Sequence, residues 1–275
     1  MQTGLIQRQY DEVIAPHYDL DPHSVIGNSL DKAVAQVRQE LETEPEESSL
    51  RVLDLGIGTG RFIEMLRAKA GRAVQPCGLD VSEKMIDIAR ARIPDLDARV
   101  GDAANLDDFF EPGSFDLVAT HFVTGFVPLD VLVGKVRDKL AAGGYWSFAG
   151  GTKAGFPVIL REVNGRFLRW LFGGRTVDVG DYVCNPADGE ELVRALEEFG
   201  FAVRKRETFR PALRFERFED FMDFAYRGGW LTPFIEGLGV HKAGVLVRVL
   251  LNAFYFPVED HHNIEIVLAQ KVDEP

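Results

Sequence analysis

The residues that could do chemistry in this chain begin with Asp54, Gly56, Gly58 and Gly60, set in VLDLGIGTGRF between Val52 and Phe62. Glycines at that density let a ligand lie against bare backbone, over the free N–H groups at the start of a helix, as in a nucleotide-binding turn. The spacing is G-x-G-x-G followed by Arg61, whereas a dinucleotide fingerprint needs G-x-G-x-x-G. Asp54 stands two positions before the first glycine. A pyrophosphate would gain nothing from a negative charge there; a ligand carrying positive charge would. Asp80, twenty positions beyond Gly60, ends a second apolar run, where an acid can accept from both hydroxyls of a ribose. In ARVGDAANL the Asp102 carboxylate could accept from an adenine amino group while the Ala103 N–H meets a ring nitrogen, or it could cap the helix that follows. His121 closes SFDLVATHF; an imidazole there could take a proton from a hydroxyl or ammonium group, or shape a pocket wall.

These residues need a scaffold that gathers several strand ends. Val52, Leu53 and Leu55 read as a buried strand, and Phe62, Met65 and Leu66 share one helical face. AVQPCGLD predicts the second strand, and Ser82 the cap of a helix whose inner face is Met85, Ile86 and Ala89. Arg99 and Val100 end a short third strand, Phe115, Leu117 and Val118 lie in a fourth, and YWSFAG predicts a fifth. Strands alternating with helices mean a parallel, doubly wound sheet with helices on both faces. Ligands sit outside the carboxyl ends of such strands, which adds Thr120 to the candidate residues. Before this core, Leu30, Val34, Val37 and Leu41 predict a helix, ended by the polar stretch Thr43 to Ser49. After it, a loose stretch centred on FLRWLFGG leads to Asp188 and Glu191, spaced as a capping box, with Gly200 as the helix stop. FAVRKRETF and NIEIVLAQKV predict the last two strands.

An apolar strand, an acid and G-x-G-x-G resemble the first motif of the class I S-adenosylmethionine-dependent methyltransferases, and Gly101-Asp102-Ala103 is a frequent form of that family's adenine motif. The resemblance covers Leu50 to Gly150 well, and Pro186 to Glu207 and Asn263 to Val272 loosely. It implies a seven-stranded, mostly parallel Rossmann-like sheet with an antiparallel last strand. A helical lid would span residues 1–49, the cofactor-binding core 50–209 and 263–275, and an aromatic-rich helical insertion 210–262. It implies S-adenosyl-L-methionine as cofactor, S-adenosyl-L-homocysteine as product and in-line displacement at the sulfonium methyl. In that family the residues after the ribose acid cover the adenine, which makes Val81 and Met85 candidates, a core role being equally open for Met85. Tyr10-Asp11, Ala15-Pro16 and Tyr18-Asp19 resemble its YD…A…YD lid, which puts Tyr18 near the sulfonium unless it merely packs the terminus. A nicotinamide-dependent oxidoreductase is disfavoured by the glycine spacing and Asp54. A module that binds the cofactor without turnover would carry the same motifs.

With 31 basic against 43 acidic residues, the net charge of −12 offers no footprint for a nucleic-acid backbone and leaves small molecules as the expected partners. Cys77 and Cys184 lack the spacing of a disulfide framework or zinc site. His261 and His262 point to opposite faces of an extended chain, so no catalytic metal is expected. The N-terminus lacks an apolar signal core and the apolar run Val245 to Phe256 is too short to span a bilayer, which together predict a cytoplasmic protein without membrane contact. The insertion is the departure from the resembled family. Phe215, Phe218, Met222 and Ala225 predict one helix, and His241 to Phe254 a second, apolar all round and therefore buried. Its aromatic residues would roof an acceptor pocket or form the face of a homodimer. The expected acceptor is a small aromatic or apolar metabolite methylated on O or N, with carbon methylation of an activated acid or ring as the alternative.

Overall fold

The computed structural model describes residues 3–42, 49–166, 169 and 183–272. The loop expected between Thr43 and Ser49, except Ser49 itself, and most of FLRWLFGG lie outside the described residues.

Strands β1 (Leu50–Leu55), β2 (Val74–Asp80), β3 (Asp97–Val100), β4 (Phe115–His121), β5 (Leu140–Gly151), β6 (Phe201–Phe209) and β9 (Ile264–Lys271) form one sheet in the order β3-β2-β1-β4-β5-β9-β6. β9 runs antiparallel to both neighbours, and the other pairings are parallel. The chain winds outward from β1 in both directions, so its carboxyl end opens onto the crevice where the strand order reverses. Register brings Leu55 level with Leu79 on one side and Thr120 on the other. Gly56, Asp80 and His121 therefore emerge along one rim.

Helices α1 (Thr3–Gln9), α2 (Val25–Leu41), α3 (Arg61–Lys69), α4 (Glu83–Arg92), α5 (Leu129–Lys139), α6 (Pro157–Val163) and α7 (Gly189–Glu198) accompany the sheet. The predicted face of α2 is buried at Leu30, Val34, Val37 and Leu41. Ser82 caps α4, its hydroxyl accepting from Met85 N at 3.1 Å, and Asp188 caps α7 by accepting from Glu191 N at 2.9 Å. Leu53, Leu55, Ile63 and Leu66 are fully buried. Each such side chain stabilises the fold by about 1.5–3 kcal/mol.

The insertion differs from expectation in two ways. Phe215 lies on a strand, β7 (Ala212–Phe215), which pairs antiparallel with β8 (Val258–His261) as a separate two-stranded sheet, and helix α8 begins only at Phe218 (Phe218–Met222). After α9 (Thr232–Leu238), helix α10 starts at Val245 (Val245–Phe254) and is not buried. Only Leu251 of α10 is fully inside, while Val245, Leu246, Val249 and Phe254 are 57–79% exposed. Apolarity on every side led to burial by composition alone, but only the stripe containing Leu251 finds neighbours. The N-terminal segment and the insertion are joined through Glu236, which accepts from Arg8 at 2.8 Å, Gln9 at 2.7 Å and the Tyr226 hydroxyl at 3.1 Å.

Candidate active site

A cavity of about 290 Å³ lies at the rim of β1, β2 and β4. Gly56, Gly58, Asp80, Val81, Asp102, Ala103, His121 and Tyr18, all singled out from sequence, line it. Gly56 and Gly58 have φ of 69° and 53°, the left-handed region, and a Cβ on Gly56 would stand 2.7 Å from Val123. Only glycine lets the backbone pass that closely. Asp80 is buried, and its two oxygens accept from Gly58 N and Ser82 N, both at 2.9 Å. Burial pushes its proton affinity up to about 6 against the pull of those two amides, so it is ionised at neutral pH with lone pairs left over. Asp102 does both things its sequence allowed: it caps the following turn, accepting from Ala104 N at 2.9 Å, and it lines the cavity.

Asp54 stands one layer deeper, at a void of about 20 Å³ shared with Tyr18, Gly56, His121 and Phe122. Burial, and then Asp80, hold its proton affinity well above the usual carboxylate range. An arriving positive charge would relieve that cost. Besides Asp54, three expected residues are not on the cavity wall. Met85 is fully buried against Ile14 and Ala15, because the cap at Ser82 turns the first helical turn inward. Thr120 falls on the opposite face of β4 from His121 and accepts from Trp146 Nε1 at 2.8 Å. Gly60 packs against Ala89 and Ile93 of the neighbouring helix and loop.

His121 does line the cavity, but as a poor base. Its Nε2 faces Ser147 Oγ at 3.1 Å, its ring meets Phe62 edge-on at 4.3 Å, and burial pushes its proton affinity down to about 3. At neutral pH burial keeps the ring neutral, the form able to accept a proton, while lowering its strength as a base.

The N-terminal segment crosses the rim, presenting Ile6, Tyr10 and Tyr18 to the cavity. The acids beside those tyrosines tether it. Asp11 accepts from Ser82 Oγ at 2.6 Å, and Asp19 accepts from Thr59 Oγ1 and Arg92 Nη2, both at 2.7 Å. Asp21 holds the start of α2, accepting from Gly27 N at 2.8 Å, and faces Arg61 at 3.4 Å. A second cavity, of about 90 Å³, opens on the other side of Tyr10, Tyr18, Phe122 and Phe126, which line both. Phe156 and Trp230 add to its aromatic wall, and no carboxylate lines it among the described residues. Phe122 is held at a φ of 62° by its N–H donating to Ala149 O at 2.6 Å, and its ring meets Trp230 edge-on at 5.1 Å.

Residues 52–144 match the model of a family described as methyltransferase domain. The chain is 30% identical over 203 residues to the demethylmenaquinone methyltransferase of Thermus thermophilus, an alignment covering 70% of this chain and 90% of that one. The chain belongs to the class I S-adenosylmethionine-dependent methyltransferases. It is also 28% identical over 229 residues to the trans-aconitate 2-methyltransferase of Methylobacterium radiotolerans, covering 78% of this chain and 82% of that one. Among solved structures, the YcgJ protein from Bacillus subtilis superposes with a TM-score of 0.56 at 17% identity, covering 89% of this chain and all of that one, a likeness of fold.

This methyltransferase thus takes S-adenosyl-L-methionine as methyl donor and releases S-adenosyl-L-homocysteine. Sequence reasoning had missed Phe122, Trp230, Asp21 and Arg92 as parts of the site. The two aromatics carry no motif, and the salt bridge of Arg92 to Asp19 joins residues far apart in the chain. The repeated Tyr-Asp pairs were the available signal for the tethers: in each, the tyrosine faces the cavity and the acid ties the segment down.

Proposed function

We propose that this methyltransferase binds the donor in the larger cavity and a small aromatic or apolar metabolite in the smaller one, and transfers the methyl group to oxygen or nitrogen of that acceptor. The observation that carries this is the shared wall: Tyr10, Tyr18, Phe122 and Phe126 separate a cavity rimmed by carboxylates from one walled by aromatics. The residues fit the donor. Asp80 has lone pairs for ribose hydroxyls, Asp102 and Ala103 offer the acceptor and donor that an adenine edge needs, and Gly56 and Gly58 leave bare backbone for the amino-acid end. Asp54 offsets positive charge there, and Val81 adds apolar surface to the adenine side. Bound S-adenosylmethionine supplies a methyl group already activated by its cationic sulfur. The chain's share is to hold the acceptor in line, exclude water with the N-terminal lid (residues 1–49) and roof the acceptor with the insertion (210–262).

A second reading, transfer to a carbon that the acceptor's own ring or acid activates, is favoured by one observation. His121 and His262 are both buried with proton affinities pushed down to about 3, so neither is a strong base near neutrality. Isothermal titration with S-adenosylmethionine and with NAD tests the cofactor assignment, and binding of NAD alone would overturn it. Methyl transfer to a panel of phenols, amines and keto acids, with mass analysis of the products, distinguishes oxygen, nitrogen and carbon as the target.

A further inference from the structure

Among the residues that line the smaller cavity and not the larger one is His262, a residue left without a role by the cofactor site. Its ring is 5% exposed, stacks on Phe156 at 4.4 Å with planes 12° apart, and meets Trp230 edge-on at 5.3 Å. The backbone on either side is fixed. His261 O accepts from Phe156 N and Asn263 O from Thr152 N, both at 3.0 Å, while Asn263 Nδ2 donates to Ala154 O at 3.1 Å. Asp260 adds a further anchor, its oxygens accepting from Ile159 N at 2.8 Å and Val158 N at 3.2 Å. Two glycines make room for the ring: a Cβ on Gly151 would stand 2.6 Å from Nε2, and one on Gly155 would stand 2.1 Å from Nδ1.

Nδ1 is buried with no hydrogen-bond partner among the described residues. A buried N–H without a partner is costlier than a buried lone pair, so the single proton of the neutral ring belongs on Nε2. Burial, and then His261, push the ring's proton affinity down to about 3, which keeps it neutral. Asn185 presents the same polarity. Its Oδ1 accepts from Thr124 Oγ1 at 3.3 Å, which leaves Nδ2 to donate, and that nitrogen lies 3.3 Å from the same Cβ position on Gly151. Lys153 also lines this cavity. The corner over Gly151 is thus flanked by hydrogen-bond donors, with no carboxylate lining the cavity among the described residues.

We propose that His262 and Asn185 form an oxygen-binding subsite, and that the methyl acceptor carries a carbonyl or carboxylate oxygen at the end remote from the reacting atom. The acceptor class is then a planar apolar ketone, aldehyde or acid. A cationic amine is disfavoured, because no carboxylate lines the cavity among the described residues and Lys153 repels the charge. This rests on the methyltransferase site assignment above and adds the polarity of the acceptor to it.

The test is isothermal titration of three probes, 2-naphthoate, 2-acetylnaphthalene and 2-naphthylmethylamine, into protein saturated with S-adenosylhomocysteine. The acid and the ketone are expected to bind at least about tenfold more tightly than the amine. His262→Phe keeps the stacked ring and removes the donor, and should shrink that gap about tenfold while leaving S-adenosylhomocysteine affinity unchanged. His262→Gln, which retains a donor, should keep most of the gap and covers the case in which the phenylalanine variant does not fold. The subsite is overturned if the amine binds as well as the acid, if His262→Phe preserves the preference, or if no probe binds to product-loaded protein. Loss of S-adenosylhomocysteine binding by the unmodified protein would instead sink the site assignment itself.

Discussion

The two cavities are neighbours built on different plans. The larger one draws its polar residues from consecutive strand ends, each within a few positions of a glycine turn or helix start, and uses backbone amides to hold its carboxylates. The smaller one collects aromatic side chains from the N-terminal segment, the exit of β4, the loop after β5, the insertion and the turn before β9. A binding site for a constant cofactor can be written in local motifs. A site for a particular acceptor is assembled from distant parts of the chain, where its shape can change without disturbing the cofactor.

If that division is real, substitutions should separate cleanly into cofactor effects and acceptor effects. The largest should come from Asp80→Ala, which removes hydrogen bonds to a charged group worth about 1.5–3 kcal/mol, or roughly 10- to 150-fold in S-adenosylmethionine affinity. Titration calorimetry should show this with no change in the affinity of product-loaded protein for an acceptor. Next is pH. Burial lifts the Asp80 proton affinity to about 6, with Asp11 adding to the lift. The acid therefore gains a proton as pH falls through that value, and one of its oxygens turns from acceptor to donor. Cofactor binding should be nearly flat above pH 7 and weaken by up to about tenfold per unit below pH 6; a flat profile down to pH 5 would remove Asp80 from the contact. Trp230→Ala should act on the other side, raising the KM of an aromatic acceptor by about 2- to 12-fold, as loss of a ring contact worth about 0.5–1.5 kcal/mol predicts. Its cofactor affinity should not move. The smallest effect is expected from His121→Ala: turnover should fall far less than the roughly 10²–10⁴-fold of a lost general base. A collapse of that size would restore His121 as the proton acceptor and show that the bound acceptor raises its basicity.

How much was legible from the residues alone follows the same division. The order β1 to β5, the caps at Ser82 and Asp188, and the antiparallel last strand could be read because periodicity and capping are local. Gly56, Gly58, Asp80 and Asp102 could be placed for the same reason. Met85 and Thr120 could not, because a side chain's face depends on how a cap or a strand is turned, and a slip of one position reverses it. His121 stands at the rim as expected, but its basicity is set by packing against Phe62 and Ser147, which no spacing encodes. Helix α10 was read as buried because its composition is apolar, yet composition states what a face prefers and not whether a neighbour exists.

Phe122 carries one further consequence. A bulky residue held in the left-handed region costs on the order of 1–3 kcal/mol, and glycine would take that conformation without penalty. The ring that separates the two cavities is therefore held against a local backbone cost, by the bond from its N–H to Ala149 O and by its contact with Trp230.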